Sequence, residues 1–252
     1  MTLSDEQLER YARHIVLKEI GGAGQAKLAS AHVLLVGAGG IGCPAIQYLA
    51  AAGVGKLTVI DDDQVSLSNL QRQILYGIQD VGRDKVEAAA MAAHRINPEI
   101  EFIALQQRLT AQHGAAFLDG VDVVIDGSDN FMTRLIVNDL CHAAKVPLVS
   151  AAIGQFHGQI GTYRGWEADK PCYRCFVGDA HDPDDCDSCS ELGVLGAMVG
   201  LMGSFAAMEA IRVITGFGDD PAGKLHIFDG LAPSMRTIRL PKDPGCSTCG
   251  TG

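Results

Sequence analysis

The chain has 252 residues, which at about 100 to 200 residues per domain allows one large α/β domain or two small ones and rules out a mini-protein. Hydrophobic residues make up 47%, charged residues 20% and glycine 30 positions, which excludes a disordered tail, a coiled coil or a collagen-like chain. The formal charge of −10 repels phosphate backbones and anionic bilayers, so neither nucleic acid nor membrane is an expected partner, and any polyanion must be held locally.

Residues 4–18 place apolar side chains at helical spacing between charges and predict an amphipathic helix. They lack the apolar core and small-residue cleavage site of a secretory signal, so a cytoplasmic location is expected. Residues 32–36 are a short apolar run ending at Gly37, the pattern of a buried strand. Residues 42–52 then read as a helix, with Pro44 in its first turn and Gly53 just past its end, and 57–60 as a strand ending on Asp61. That is a βαβ unit.

The alternation continues with a helix over 82–95 stopped by Asn97-Pro98, a strand over 100–104, a helix over 111–118, a strand over 121–125, a helix over 131–144 and a strand over 148–151. Strands alternating with helices imply a Rossmann-like, doubly wound and mainly parallel sheet. Past residue 152, β-like pieces at 159–163, 224–228 and 235–240 surround a long apolar helix near 194–215, and this half reads as a second layer added to the same sheet, which is thus extended by a C-terminal β-containing half. We expect one domain over 1–252, made of an N-terminal half (1–152) and a C-terminal half (153–252). Residues 192–208 carry no charge over a length near the roughly 20 residues that span a bilayer. Glu209 and Arg212 follow at once, glycines interrupt the run and no basic flank accompanies it, so it reads as a buried helix. Residues 178–190, with five Asp and no apolar period, read as a flexible loop.

Gly37-x-Gly39-x-x-Gly42 follows a strand and opens a helix, the context in which a glycine fingerprint lets a phosphate approach a helix N-terminus. Asp61, at the end of the second strand, is placed to accept the ribose hydroxyls. Alone, these features point to a dinucleotide oxidoreductase. Arg72, Lys85 and Asp129 argue for triphosphate chemistry instead: two cations for phosphate oxygens and a carboxylate for a bridging Mg²⁺, each at or after a strand end. Each also has a bland reading, a solvated helix face for the cations and a helix N-cap for Asp129-Asn130.

Cys172-x-x-Cys175 and Cys246-x-x-Cys249 are two CxxC pairs in tight-turn contexts, the spacing of a structural Cys₄ zinc site. The alternative is a pair of redox dithiols. Cys43 and Cys141 read as packing residues. Among the histidines, His14, His94, His142 and His157 read as structural, and His181 sits in the aspartate-rich loop.

Taken together, RYARHIVL (10–17), VGAGGIG (36–42), DDDQVSLSNLQRQIL (61–75), GRDKVEAA (82–89), DGSDNFMTR (126–134), PCYRC (171–175) and GCSTCG (245–250) resemble the ThiF/MoeB/HesA adenylyltransferases, relatives of ubiquitin-activating E1 enzymes. The resemblance implies reaction of ATP-Mg with the C-terminal Gly-Gly carboxylate of a small β-grasp sulfur carrier, in molybdopterin or thiamin (thiazole) biosynthesis. It implies Gly40 and its neighbours at the phosphates, Asp61 at the ribose, Asn69, Arg72, Gln73 and Lys85 at the triphosphate, and Asp129 at magnesium; Asp63 and Asn130 are added to this nucleotide set. It also implies nucleotide binding by the half 1–152, zinc and carrier binding by the half 153–252, and a homodimer in which Arg13 reaches the partner's nucleotide; for Cys189 it leaves two readings, a thiol that some members use to bond the carrier and an inert loop thiol of which others make little use. The chain departs from the pattern at Cys186, which makes a third CxxC with Cys189, and in the length of the loop after Cys175. As no rhodanese-like domain follows residue 252, a separate sulfur donor, a cysteine desulfurase or rhodanese-like protein, is expected. A tRNA-modifying dehydratase of the same superfamily is a further alternative, against which the acidic charge and the cysteine pairs speak.

Overall fold

The computed structural model describes residues 3–179 and 193–250. Cys186, Cys189 and His181, and the loop reading from residue 180 onward, lie outside the described residues.

Five parallel strands form the body of one sheet: β1 (His32–Val36), β2 (Lys56–Ile60), β3 (Glu101–Leu105), β4 (Val123–Asp126) and β5 (Leu148–Gly154). Three antiparallel strands, β6 (His157–Tyr163), β7 (Lys224–Asp229) and β8 (Ser234–Arg239), continue it to give the order β3-β2-β1-β4-β5-β6-β7-β8. The C-terminal strands therefore lengthen the sheet edgewise, in keeping with the expected extension of the sheet by a C-terminal β-containing half, and they do so within the same layer. Because β5 and β6 are hairpin neighbours, the sheet runs without a break past residue 152.

Helices cover both faces, so the central strands are apolar at successive positions. Val33, Leu35, Leu57 and Val59 point to the side that holds α3 (Gly21–Ser30), α4 (Gly42–Ala52), α5 (Lys85–Ile96) and α8 (Gly196–Thr215). Leu34, Val36, Ile60 and Val124 point to the other side, packing with α6 (Phe131–Ala144) and with Tyr173 of the short α7 (Tyr173–Val177). The long apolar helix α8 is long and apolar enough to cross a membrane, with a mean hydropathy of 1.5. Met202, Ala206, Ala207 and Ala210 on it belong to the same buried cluster as Ile46 and Leu49 of α4, so here it is a core helix.

The helix over 131–144 and the helix over 42–52 match the sequence reading, the latter closed by Gly53 in the left-handed conformation at φ 76°. The single N-terminal helix does not form: α1 (Asp5–Arg10) and α2 (Ala12–Ile15) are separated at Tyr11. Tertiary contacts break it, since the buried Tyr11 hydroxyl accepts from Asn97 Nδ2 at 2.8 Å and its ring fills the space beside Gly53. The helix expected over 111–118 is only a 3-10 turn, Gly114–Leu118. The glycine-rich α3 gave no helical signal, yet it packs on α8.

Candidate functional site

The chain reverses direction across the sheet at β1, which lies between β2 and β4, and ligands of open α/β sheets bind outside the carboxyl ends of the strands at such a switch point. A cavity of about 410 Å³ opens there. After β1, Gly37 at φ 97° starts a turn that leads into α4, and a Cβ on Gly42 would meet the Gly37 carbonyl oxygen at 2.1 Å. Gly37, Gly39 and Gly40 line the cavity; Gly42 does not, and instead closes the turn behind them.

The turn is tied to β2 by Asp61. Its Oδ2 accepts from the Ala38 amide at 2.7 Å and its Oδ1 from the Asp63 amide at 2.9 Å. Burial pushes its carboxyl above the usual range, opposed mainly by the Lys85 charge. Each oxygen keeps a second lone pair for a ribose hydroxyl. Lys85, at the first position of α5 and only 5% exposed, sends its ammonium to Asp63 Oδ2 at 2.6 Å and lies 4.0 Å from Asp61 Oδ1. Asp61, Asp62 and Asp63 together could hold a cation, and the lysine ammonium already serves that purpose.

On the β4 side, the buried Asp126 accepts from the Ser128 amide (3.0 Å), the Ser128 hydroxyl (2.7 Å) and the Ser150 hydroxyl (3.1 Å). The buried Arg134 donates to the Ala151 carbonyl at 2.9 Å and to the Ser128 carbonyl. These two charges fix the turn that presents Asp129 to the cavity. Asn130 lines it too, and its Oδ1 also caps α6 by accepting from the Thr133 amide at 3.0 Å.

The cavity thus joins Gly37, Gly39, Gly40, Asp61, Asp63, Arg72, Gln73, Lys85, Asp129 and Asn130. Gln73 is buried with its Oε1 unpartnered, in a position to receive a donor from a bound molecule. Besides Gly42, two predicted residues among those described lie elsewhere. Asn69 is outside the lining, its Oδ1 accepting from the Ser66 amide at 3.1 Å in a local cap, and Arg13 is exposed on α2. The sequence reading missed Arg108, Leu109, Ser128 and Arg134, all in the lining. The motif DGSDNFMTR carried a signal for Ser128 and Arg134, whereas the residues after β3 have none. Arg72, Lys85, Arg108 and Arg134 face Asp61, Asp62, Asp63 and Asp129, so the charges of the lining balance, and attraction for a polyanion rests on where each cation stands.

A second site lies beside α6, against which α7 packs. The Sγ atoms of Cys172, Cys175, Cys246 and Cys249 all fall within 4.8 Å of one another. Cys172 is 3.6 Å from Cys246 and Cys175 is 3.3 Å from Cys249, so the two CxxC pairs interlock instead of standing as separate dithiols. Four sulfurs at about 2.3 Å from a tetrahedral ion would be about 3.8 Å apart, close to this spacing. The turns are held in register from outside: Arg174 makes a bidentate pair with Asp139 (2.8 and 2.7 Å), which also accepts from Thr248 at 2.8 Å. Cys43 and Cys141 are buried, and burial pushes both thiols up, Cys43 to about 12, so they act as core.

The profile of the ThiF family matches residues 11–248. The chain is 42% identical over 252 residues to the SAMP-activating enzyme E1 of Haloferax volcanii, covering all of this chain and 92% of that protein. It is 43% identical over 248 residues to the molybdopterin-synthase adenylyltransferase of Escherichia coli, covering 98% of each. Among solved structures, Escherichia coli MccB with ATP superposes with a TM-score of 0.80 at 25% identity, over 96% of this chain and 74% of that one.

Proposed function

Since this chain belongs to the ThiF family, we propose that it uses ATP to adenylate the C-terminal Gly-Gly carboxylate of a small β-grasp sulfur-carrier protein. Relatives named as adenylyltransferases match it along nearly their full length, and MccB was solved with ATP. The observation that carries the reading is the single cavity at the switch point, where a glycine turn, the Asp61 carboxylate, Lys85 and Arg72, and Asp129 meet. A dinucleotide oxidoreductase has little use for that cation set.

In this reading the phosphates lie along Gly37–Gly40 at the head of α4, the ribose hydroxyls on Asp61, and Arg72, Gln73 and Lys85 against the triphosphate oxygens. The carrier carboxylate is already ionised at neutral pH, so no general base is needed. One of its oxygens bonds to the α-phosphorus while the bond to the bridging oxygen breaks and pyrophosphate leaves with the electron pair. The barrier lies in bringing two anions together, which is what positioned cations and a fixed turn lower. Asp129 and its neighbours would hold Mg²⁺, which supplies charge neutralisation on the phosphate oxygens. The four interlocked cysteines would hold Zn²⁺ as a closed structural site.

Arg13 suits a homodimer in which it reaches the partner's nucleotide: it is exposed, outside its own cavity, and followed by exposed Val16 (74%) and Leu17 (47%). Free thiols at all described cysteines suit a reducing compartment such as the cytoplasm. Carrier-dependent exchange of labelled pyrophosphate into ATP tests the reading, with molybdopterin-type and thiamin-type carriers offered separately. Exchange with one of them, lost in Asp129→Ala, is expected; no exchange with any Gly-Gly-ended carrier overturns it. Cys189→Ala is expected to keep exchange and to block the later sulfur transfer.

A further inference from the structure

The sheet order assigns each part of a nucleotide to a strand end. Phosphates belong after β1 and ribose after β2, at Asp61, so the base extends to the next strand outward, β3. The residues that follow β3 and line the cavity are Gln107, Arg108 and Leu109. The lining also holds three buried apolar side chains of one cluster, Val36 and Leu109, each 4% exposed, and Ile60, 2% exposed, with Val36 and Ile60 paired in register across β1 and β2. Arg108 lines the same cavity, its side chain 69% exposed, with Nε 3.6 Å from Asp62 Oδ2. An exposed pair at that distance is weak and leaves the guanidinium free to turn. Buried apolar side chains and a movable planar cation in one cavity suit an aromatic ring, since guanidinium groups stack on aromatic faces.

Taking ATP as the nucleotide, as proposed above, we infer that Arg108 closes over the exposed face of the purine and that Asp62 holds the guanidinium at the rim until the base arrives. The contact is to the ring face, so it serves any purine alike; discrimination between bases falls to groups at the ring edge. Arg108 is thus an affinity residue for the nucleoside end and has no part in neutralising the phosphates.

Equilibrium titration with ATP, GTP and tripolyphosphate, each with Mg²⁺, separates these roles in wild type, Arg108→Ala and Arg108→Lys. Arg108→Ala is expected to weaken ATP about fivefold, and GTP by the same factor, while tripolyphosphate is unchanged. Arg108→Lys, which keeps the charge and loses the plane, is expected to recover only part of the loss. Equal weakening of tripolyphosphate would place Arg108 on the phosphates and overturn the inference, as would unaltered ATP binding by Arg108→Ala. A loss confined to ATP would make it an edge contact and overturn the stacking as well. Failure of wild type to bind ATP at all strikes instead at the ATP reading, so the two failures are distinct. Because the side chain is exposed, thermal melting of Arg108→Ala is expected to match wild type.

Discussion

At the head of α5, the buried ammonium of Lys85 and the exposed carboxylate of Asp63 stand 2.6 Å apart, with Asp61 behind them at 4.0 Å. The cation we propose for the phosphate oxygens is therefore already paired, and in that reading a triphosphate would share it with Asp63 or draw it away. The two partners are unequal: the lysine side chain is 6% exposed and that of Asp63 is 66% exposed.

That inequality gives opposite expectations for the two substitutions. Lys85→Met is expected to lower pyrophosphate exchange by roughly 10²- to 10³-fold and to destabilise the fold by about 1 to 3 kcal/mol, because it leaves Asp61 buried without its counter-charge. Asp63→Asn is expected to leave stability within about 0.5 kcal/mol and exchange within about tenfold. Chemical denaturation and exchange assays on both variants check this; a larger loss of exchange in Asp63→Asn than in Lys85→Met would contradict it.

Gly42→Ala is expected to disrupt the phosphate turn. Its methyl would lie 2.1 Å from the backbone carbonyl oxygen of Gly37, which cannot rotate away as a side chain can, so a loss of about 1 to 3 kcal/mol and of ATP affinity should follow. Gly200→Ala on α8 is the control. Its methyl meets nothing within 4 Å, and the helix interior should gain about 0.5 to 1 kcal/mol in thermal or urea unfolding.

Metal analysis should find one zinc per chain, bound by the four cysteines. Removing it with a chelator, or substituting Cys172 or Cys249 by Ser, is expected to lower the melting temperature by several degrees, since the free energy of binding is part of the free energy of folding. Protein free of zinc that melts at the same temperature would rule out this structural role.

Asp220 gives a pH signature. Burial alone would raise its carboxyl, but the Ala222 amide (3.1 Å), Lys170 (3.1 Å) and Arg164 (2.7 Å) hold it below the usual carboxylate range. A depressed folded value contributes stability above the unfolded value of about 3.9, and that contribution is lost as pH falls through the folded value. The side chain is 44% exposed, so Asp220→Asn should cost under about 1 kcal/mol at pH 7, and the gap to wild type should begin to close as pH drops below about 4 and be gone below the folded value. A gap that persists in acid would assign the effect to something other than ionisation.

What could be read in advance was whatever the chain writes locally. The apolar runs of β1 and β2, the helix from Gly42 to its stop at Gly53, and the cysteine spacing each concern neighbours in sequence, where period and turn chemistry act over a few residues. The glycine fingerprint and the DGSDNFMTR motif belong to the same class, and they supply Gly37, Gly39, Gly40, Asp129 and Asn130 to the cavity lining.

Other features exist only once distant segments meet. Tyr11 interrupts a helix because Asn97 and Gly53 lie against it. Asn69 satisfies a local amide outside the lining, and Arg108 reaches the cavity beside Asp62 because β2 and β3 are neighbours in the sheet. Which cysteine faces which, and that the last strands extend the sheet along its edge, were likewise settled by packing. Such pairings depend on distance through space, fixed by burying two apolar faces of one sheet at once, and no short stretch of residues encodes that distance.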